Sequence, residues 1–264
     1  MKALTIALRV SLGRAKQYHV STFKTITSFV SECCAGLLAI IFMKRGLAGV
    51  YIYQWVRQID DIVDGEVRID EPVENFLNKK LQVFDAAVHG TYNGIDEYDE
   101  LLFAVCRKYK DLPELITGVR EFLETFQFEI LLRKVNSTTL PRQKDLDVLA
   151  QKWEFASFAY ACKIADIRFA AFASKAPEYF GLLQKIDWLV DIIEDMEAGY
   201  YYISSEDSED MGVPLIRLKS NVKMGVIVNN FNFISWRHGK AIDLLEQLND
   251  MKRSWVVIHS IHGS

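Results

Sequence analysis

The residues of this chain best suited by type and spacing to do chemistry are aspartates. Asp60 and Asp64 stand four apart in Ile59-Asp-Asp-Ile-Val-Asp64, and Asp187, Asp191 and Asp195 repeat that interval in Asp187-Trp-Leu-Val-Asp-Ile-Ile-Glu-Asp195. On a helix, residues four apart stack on one face, so each run presents a column of carboxylates. Like charges at that interval destabilise a helix by roughly 0.2–0.5 kcal/mol per pair, and burial among apolar neighbours raises the cost. A hard divalent cation reverses the penalty, because oxygen-rich ligand sets suit Mg²⁺ and Mn²⁺. The spacing therefore predicts two metal half-sites, Asp60 with Asp64 and Asp187 with Asp191 and Asp195, facing each other across a helical cavity. Arg57, three before Asp60 and seven before Asp64, shares the first column's face. Taken alone, that segment also reads as the last turn of a helix with an internal Arg–Asp pair. Its apolar surroundings favour acids that point somewhere specific, since an unpaired charge on a buried face is seldom tolerated.

Helices are the elements that must carry these columns. Half of the 264 residues are apolar, and only 5 Pro and 14 Gly interrupt them, which favours long helices. Thr27 or Ser28 can cap a helix running to Met43. Gly46 or Gly49 begins the next, which passes Trp55, reaches Asp64 and stops at Gly65. Pro72 precedes a helix over Val73–Val88, and 89–94 is loop. Glu97–Tyr109 and Pro113–Val135 carry the three-and-four apolar spacing of amphipathic helices. After a loop over 136–141, Leu146–Ser174 reads as a long helix. Pro177 opens the helix of the second column, which ends at Ala198-Gly199. Residues 204–212 read as a polar loop, and one or two helices complete the chain from about Lys219. With neither a linker nor an internal repeat, the expectation is one all-α domain over residues 1–264, with 1–20 as a basic N-terminal extension.

Charge and cysteine usage narrow the partners. The net charge is −4 with no dense Lys/Arg run, which argues against nucleic acid. Cys33, Cys34, Cys106 and Cys162 show no CxxC spacing, and two are adjacent, so a reduced cytosolic setting is expected. Residues 1–31 hold Lys2, Arg9, Arg14, Lys16 and Lys24 but no acid, the bias of a targeting segment. Their longest apolar run, Ala3 to Leu8, is short for a signal sequence, so a folded basic helix is the preferred reading. The apolar stretch from Cys33 to Met43 falls short of the ~20 residues that span a bilayer. It reads as a buried helix, with peripheral membrane contact as the alternative.

Taken together, the two columns resemble those of the squalene/phytoene synthase family of head-to-head prenyl synthases. That family shows a DxxxD near the end of a helix and, later, a QxxNxxRDxxED motif. Asp60 and Asp64 match the first; Gln184, Asp191, Glu194 and Asp195 match the second. Arg57 falls where the family has an arginine three before its first aspartate. Ser28-Phe29 looks like the family's SF step, and Tyr202-Ile-Ser204 is similar to the short stretch that follows the second motif. The resemblance covers roughly residues 25–205. It departs at Asp187, where the family has Asn, and at Val190 and about Tyr200, where it has basic residues. Gln151-Lys-Trp-Glu-Phe-Ala-Ser157 stands in place of an aromatic-rich family helix.

The resemblance implies an isoprenoid-synthase-type helical bundle around a central cavity. It implies Mg²⁺, or Mn²⁺, held by Asp60, Asp64, Asp187, Asp191 and Asp195, with Asp60, Asp64, Asp191 and Asp195 catalytic. Substrate diphosphate would meet Arg57, Lys185, Arg45, Gln184 and Ser28, with Lys24 in addition. Phe29, Tyr53, Phe122, Phe126, Phe155 and Phe158 are wall candidates, although aromatics at helical spacing are more often core. The implied reaction joins two allylic prenyl diphosphates, farnesyl or geranylgeranyl, head-to-head through a cyclopropyl intermediate. NADPH use cannot be inferred, since nothing resembles a dinucleotide fingerprint. Two alternatives stay open: a class I terpene cyclase or lyase acting on one prenyl diphosphate, and a non-catalytic assembly factor.

Overall fold

A computed structural model describes residues 43–65, 67–91, 96–111, 113–135, 139–165, 177–225, 227 and 230–262. These form helices joined by turns, with no strand among the described residues, so the all-α class expected from the sequence is the class observed. In chain order the helices are α1 (Met43–Val63), α2 (Val73–His89), α3 (Glu97–Lys108), α4 (Pro113–Val135), α5 (Gln143–Ala165), α6 (Pro177–Ala198), α7 (Ser205–Met211), α8 (Leu215–Lys223) and α9 (Phe231–His262). The chain forms two compact units, Met1–Gln127 with Ser157–Phe169 and Phe128–Ala156 with Ala170–Ser264.

Several boundaries fall where the sequence puts them. Gly65, Gly90 and Gly199 each take a positive φ just past α1, α2 and α6, the left-handed step that releases a helix C-terminus. Pro72 precedes α2, and Pro113 and Pro177 open α4 and α6. Two expectations are corrected. Gly46 and Gly49 do not begin a helix; both lie inside α1. A methyl group at Gly49 would meet Ile164 Cδ1 of α5 at 2.4 Å, so this glycine serves close packing within the first unit. Residues 204–212 are not a loop but contain α7. The Ser204 hydroxyl accepts from the Asp207 amide while the Asp207 carboxylate accepts from the Ser204 amide, a reciprocal cap that starts the helix; Gly212 at φ 62° ends it. Smaller shifts put the start of α5 at Gln143 and that of α8 at Leu215. The expected helix from Thr27 or Ser28 to Met43 lies outside the described residues.

In the first unit, α1 buries Ala48, Tyr51, Ile52, Trp55, Ile59, Ile62 and Val63 on one face and packs on α2 and α3. Cys106 of α3 belongs to this core, where burial pushes its thiol up to about 11 and leaves it unreactive at neutral pH. In the second unit, Leu146, Leu149, Ala150 and Trp188 form one cluster. Ile192, Met196, Ile203, Met211, Leu218 and Phe233 belong to another, gathered from α6 to α9. No helix among the described residues is long and apolar enough to cross a membrane.

Candidate metal and diphosphate half-sites

Tyr53, Arg57, Asp60 and Asp64 follow one another at intervals of four, three and four, on a face of α1 turned from Trp55 and Ile59. All four are half-buried. Asp64 lies one residue beyond α1, yet its amide still reaches the Asp60 carbonyl at 2.8 Å, so the column keeps helical spacing to its end. Arg57 is the organising cation. Its guanidinium hydrogen-bonds the Asp60 carboxylate, and its Nε lies 2.9 Å from Oδ1 of the buried Asp61. The internal Arg–Asp pair readable in the sequence is therefore present. Asp61, which the four-residue pattern skips, is the most buried acid of the run.

The second column rises along α6. Asp187 is exposed, and Gln184, Asp191 and Asp195 are half-buried. The Gln184 amide donates to Asp187 at 3.4 Å, a long contact. Lys185, only two residues before Asp187, lies on the other side of the helix. Its ammonium stands 2.7 Å from Asp147, and it lines a cleft of about 250 Å³ with Trp188, Trp236 and Lys240. Lys185 is thus engaged away from the carboxylates.

Arg237 was not legible as a partner of this column. It reaches across from α9 and donates to the Leu189 and Val190 carbonyls at 3.2 and 3.1 Å. Those are the two residues before Asp191, and the Val190 side chain is itself 51% exposed. A cation therefore accompanies this stretch of α6 although none is encoded there. Sequence spacing held no signal for it, since the contact joins residues 47 and 48 positions apart.

The remaining candidates divide. Arg45 is half-buried on the first turn of α1. Phe122 and Phe126 are buried in the first unit, where Phe122 meets the Tyr160 ring edge-on at 5.7 Å. Tyr160 is buried, its hydroxyl has no hydrogen-bond partner among the described residues, and burial raises it well above its ordinary value. Ser28, Lys24 and Phe29, and the side chains of Phe155, Phe158 and Glu194, lie outside the described residues. Among the described residues, no three of His, Cys, Asp and Glu come together as a ready-made metal cage. Mg²⁺ does not need one: one or two carboxylates suffice when water and substrate phosphate supply the other oxygens. By donor type and spacing, Asp60 with Asp64 and the α6 aspartates fit that use.

Tyr202 and Ser204, which follow the second motif, do structural work instead. Ser204 caps α7, and Asp207 accepts from Trp236 Nε1 at 3.1 Å and pairs with Lys240 at 2.6 Å. Burial alone would raise Asp207, but Lys240, Ser204 and Trp236 outweigh it and hold the carboxyl below its ordinary range. A depressed carboxyl contributes stability that is present above its unfolded pKa and lost as pH falls through the folded one. Asp207→Asn is expected to cost about 1–2 kcal/mol in urea unfolding at pH 7. The gap from the parent should close as pH falls below the ordinary carboxylate range and through the lowered pKa of Asp207.

Comparison with protein-family models, with curated proteins and with solved structures returns no match for this chain.

Proposed function

We propose that the protein is a Mg²⁺-dependent enzyme that acts on allylic prenyl diphosphates and joins two of them head-to-head. The observation that carries this reading is that two separate helices, α1 and α6, each end in a column of carboxylates at four-residue spacing within otherwise apolar sequence. Asp60 and Asp64 would hold the cation in the first unit, and Asp187, Asp191 and Asp195 in the second. When bound, the cation neutralises the diphosphate so that the allylic C–O bond can ionise. Arg57 orients Asp60 and Asp61 before substrate arrives. Arg237, held along α6 by two backbone carbonyls, would offer its remaining N–H groups to a phosphate oxygen. Apolar side chains of the helical core keep water from the developing cation.

A second reading, one prenyl diphosphate taken by a cyclase or lyase, is favoured by one observation. Arg57 and Lys185, two of the expected phosphate contacts, already pair with carboxylates of their own units. The experiment is incubation with farnesyl or geranylgeranyl diphosphate and Mg²⁺, with and without NADPH, and mass spectrometry of the extracted products. A C30 or C40 product, lost by at least about a thousandfold in Asp60→Ala and in Asp191→Ala, is the expected result. A C15 or C20 hydrocarbon or alcohol transfers the assignment to the second reading. No turnover and no Mg²⁺-dependent binding of either diphosphate overturns both and leaves a non-catalytic role.

A further inference from the structure

We infer that the exposed corner made by α8 and the first turn of α9 docks on an anionic lipid surface. From Met211 to Ile242 the chain carries Arg217, Lys219, Lys223, Arg237 and Lys240 and no Asp or Glu, although its net charge is −4. Arg237 is committed to α6 and Lys240 to Asp207, and Lys219 lies over the Tyr201 ring at 5.6 Å, so Arg217 and Lys223 are the α8 cations exposed on its outer side. That helix turns Leu218 and Val222 into the core of its unit. Its outer side presents Ile216, Arg217, Ser220 and Lys223, with Met224 directly after.

Three large apolar side chains project from this region into solvent. Ile216 is 78% exposed, Met224 61% and Phe231 79%. The Asn232 amide donates to the Met211 carbonyl at 2.9 Å, which holds the start of α9 against the end of α7, three residues before Pro214 caps α8. The stretch that carries Ile216 therefore leaves the end of α7 and returns to it at Phe231 and Asn232. Single exposed apolar residues are ordinary on a protein surface. Three gathered among cations, with no acid between them in sequence, suit a surface that offers phosphate and hydrocarbon together, as a bilayer does. Nucleic acid would satisfy the cations and leave Ile216 and Phe231 in water. Glu209 and Asp210, exposed on the last turn of α7, border the patch and must stay outside the headgroup layer.

This inference does not depend on the prenyl chemistry, so its test needs no turnover. The full chain is sedimented with vesicles of phosphatidylglycerol and phosphatidylcholine, and with phosphatidylcholine alone, at low and high salt. Binding is expected to the anionic vesicles, weakened by salt and at least about tenfold weaker on neutral lipid. Ile216→Ser/Phe231→Ser and, separately, Arg217→Ser/Lys223→Ser should each lower partitioning by about tenfold or more. Glu209→Gln/Asp210→Asn should raise it. Leu131→Ser, which removes an apolar side chain 63% exposed elsewhere, should leave it unchanged. All the substituted side chains are exposed, and circular dichroism checks that each variant is folded. Absence of binding to anionic vesicles by the parent chain overturns the inference. So does binding that both double variants retain, or a corner that captures only an acidic protein.

Discussion

Replacing Lys80 by methionine is expected to destabilise the protein by about 3–5 kcal/mol, because it strands a buried carboxylate. Lys80 of α2 and Asp99 of α3 are both nearly inaccessible, and the ammonium sits 2.6 Å from Asp99 Oδ1. The same oxygen accepts from Trp55 Nε1 of α1 at 2.8 Å, so one carboxylate ties three helices of the first unit. Lys80 also reaches Asp96, whose side chain caps α3 through the Asp99 amide at 2.7 Å. Burial lifts the Asp99 carboxyl above its ordinary range, against the pull of Lys80 and the indole. Methionine keeps most of the stem's volume but no charge, so the loss reports the pair rather than a cavity. A raised carboxyl costs stability as pH climbs through its folded pKa; the methionine variant's deficit should therefore shrink as the medium is acidified. Lys80→Met/Asp99→Asn keeps an acceptor for Trp55 and removes the stranded charge, and should recover most of the loss. Urea unfolding of the two singles and the double measures the coupling. A single-variant loss under about 1 kcal/mol would mean that water reaches Asp99.

That pair was invisible in the sequence, although the helices that make it were not. Pro72, Gly90, Pro113, Pro177 and Gly199 mark helix ends through steric facts that act over one or two residues, so local reading suffices. Gly49 defeated the same logic because packing against Ile164, far off in sequence, decided the matter. Ser204-Ser-Glu-Asp207 did carry a local signal, a serine with an acid three residues on. Its polar composition hid that signal behind the look of a loop. Lys80 and Asp99 are separated by 19 positions and lie on different helices, where periodicity says which faces are apolar but not which polar side chains meet.

The candidate site divides along the same line. The carboxylate columns were legible because a four-residue interval on a helix fixes a face whatever surrounds it. The cations were not. Lys185 looks close to the column in sequence, but two residues along a helix is more than half a turn, and it pairs with Asp147. Arg237 lies far off in sequence, yet it occupies the surroundings of the Val190 backbone. A cation can thus reach one helix from a neighbouring one, and only the fold reports the contact.

The second column also rests on a buried network whose removal should be nearly as damaging as that of Lys80. Glu129 of α4 is buried, and its carboxylate accepts from Arg133 Nη2 at 2.5 Å, from Trp153 Nε1 of α5 at 3.0 Å and from the Tyr202 hydroxyl. The Tyr202 ring stacks on Trp188 of α6 with centroids 4.5 Å apart, and Tyr200 lies over the Arg133 guanidinium at 3.7 Å. The segment leaving α6 just after Asp195 is thereby fastened to α4 and α5 within its unit. Glu129→Ala removes the anion that Arg133, Trp153 and Tyr202 share and is expected to cost about 3–5 kcal/mol. Glu129→Gln keeps the shape and an acceptor and should cost about 1.5–3 kcal/mol. Tyr202→Phe keeps the stacking and loses one bond to the carboxylate, for about 1–2 kcal/mol. Because the hydroxyl and the carboxylate bond each other, the Glu129→Gln/Tyr202→Phe double should fall short of the sum of the singles by at least about 0.5 kcal/mol in a urea cycle. Simple addition would mean that the two act separately, and that the end of α6 is held by apolar packing alone.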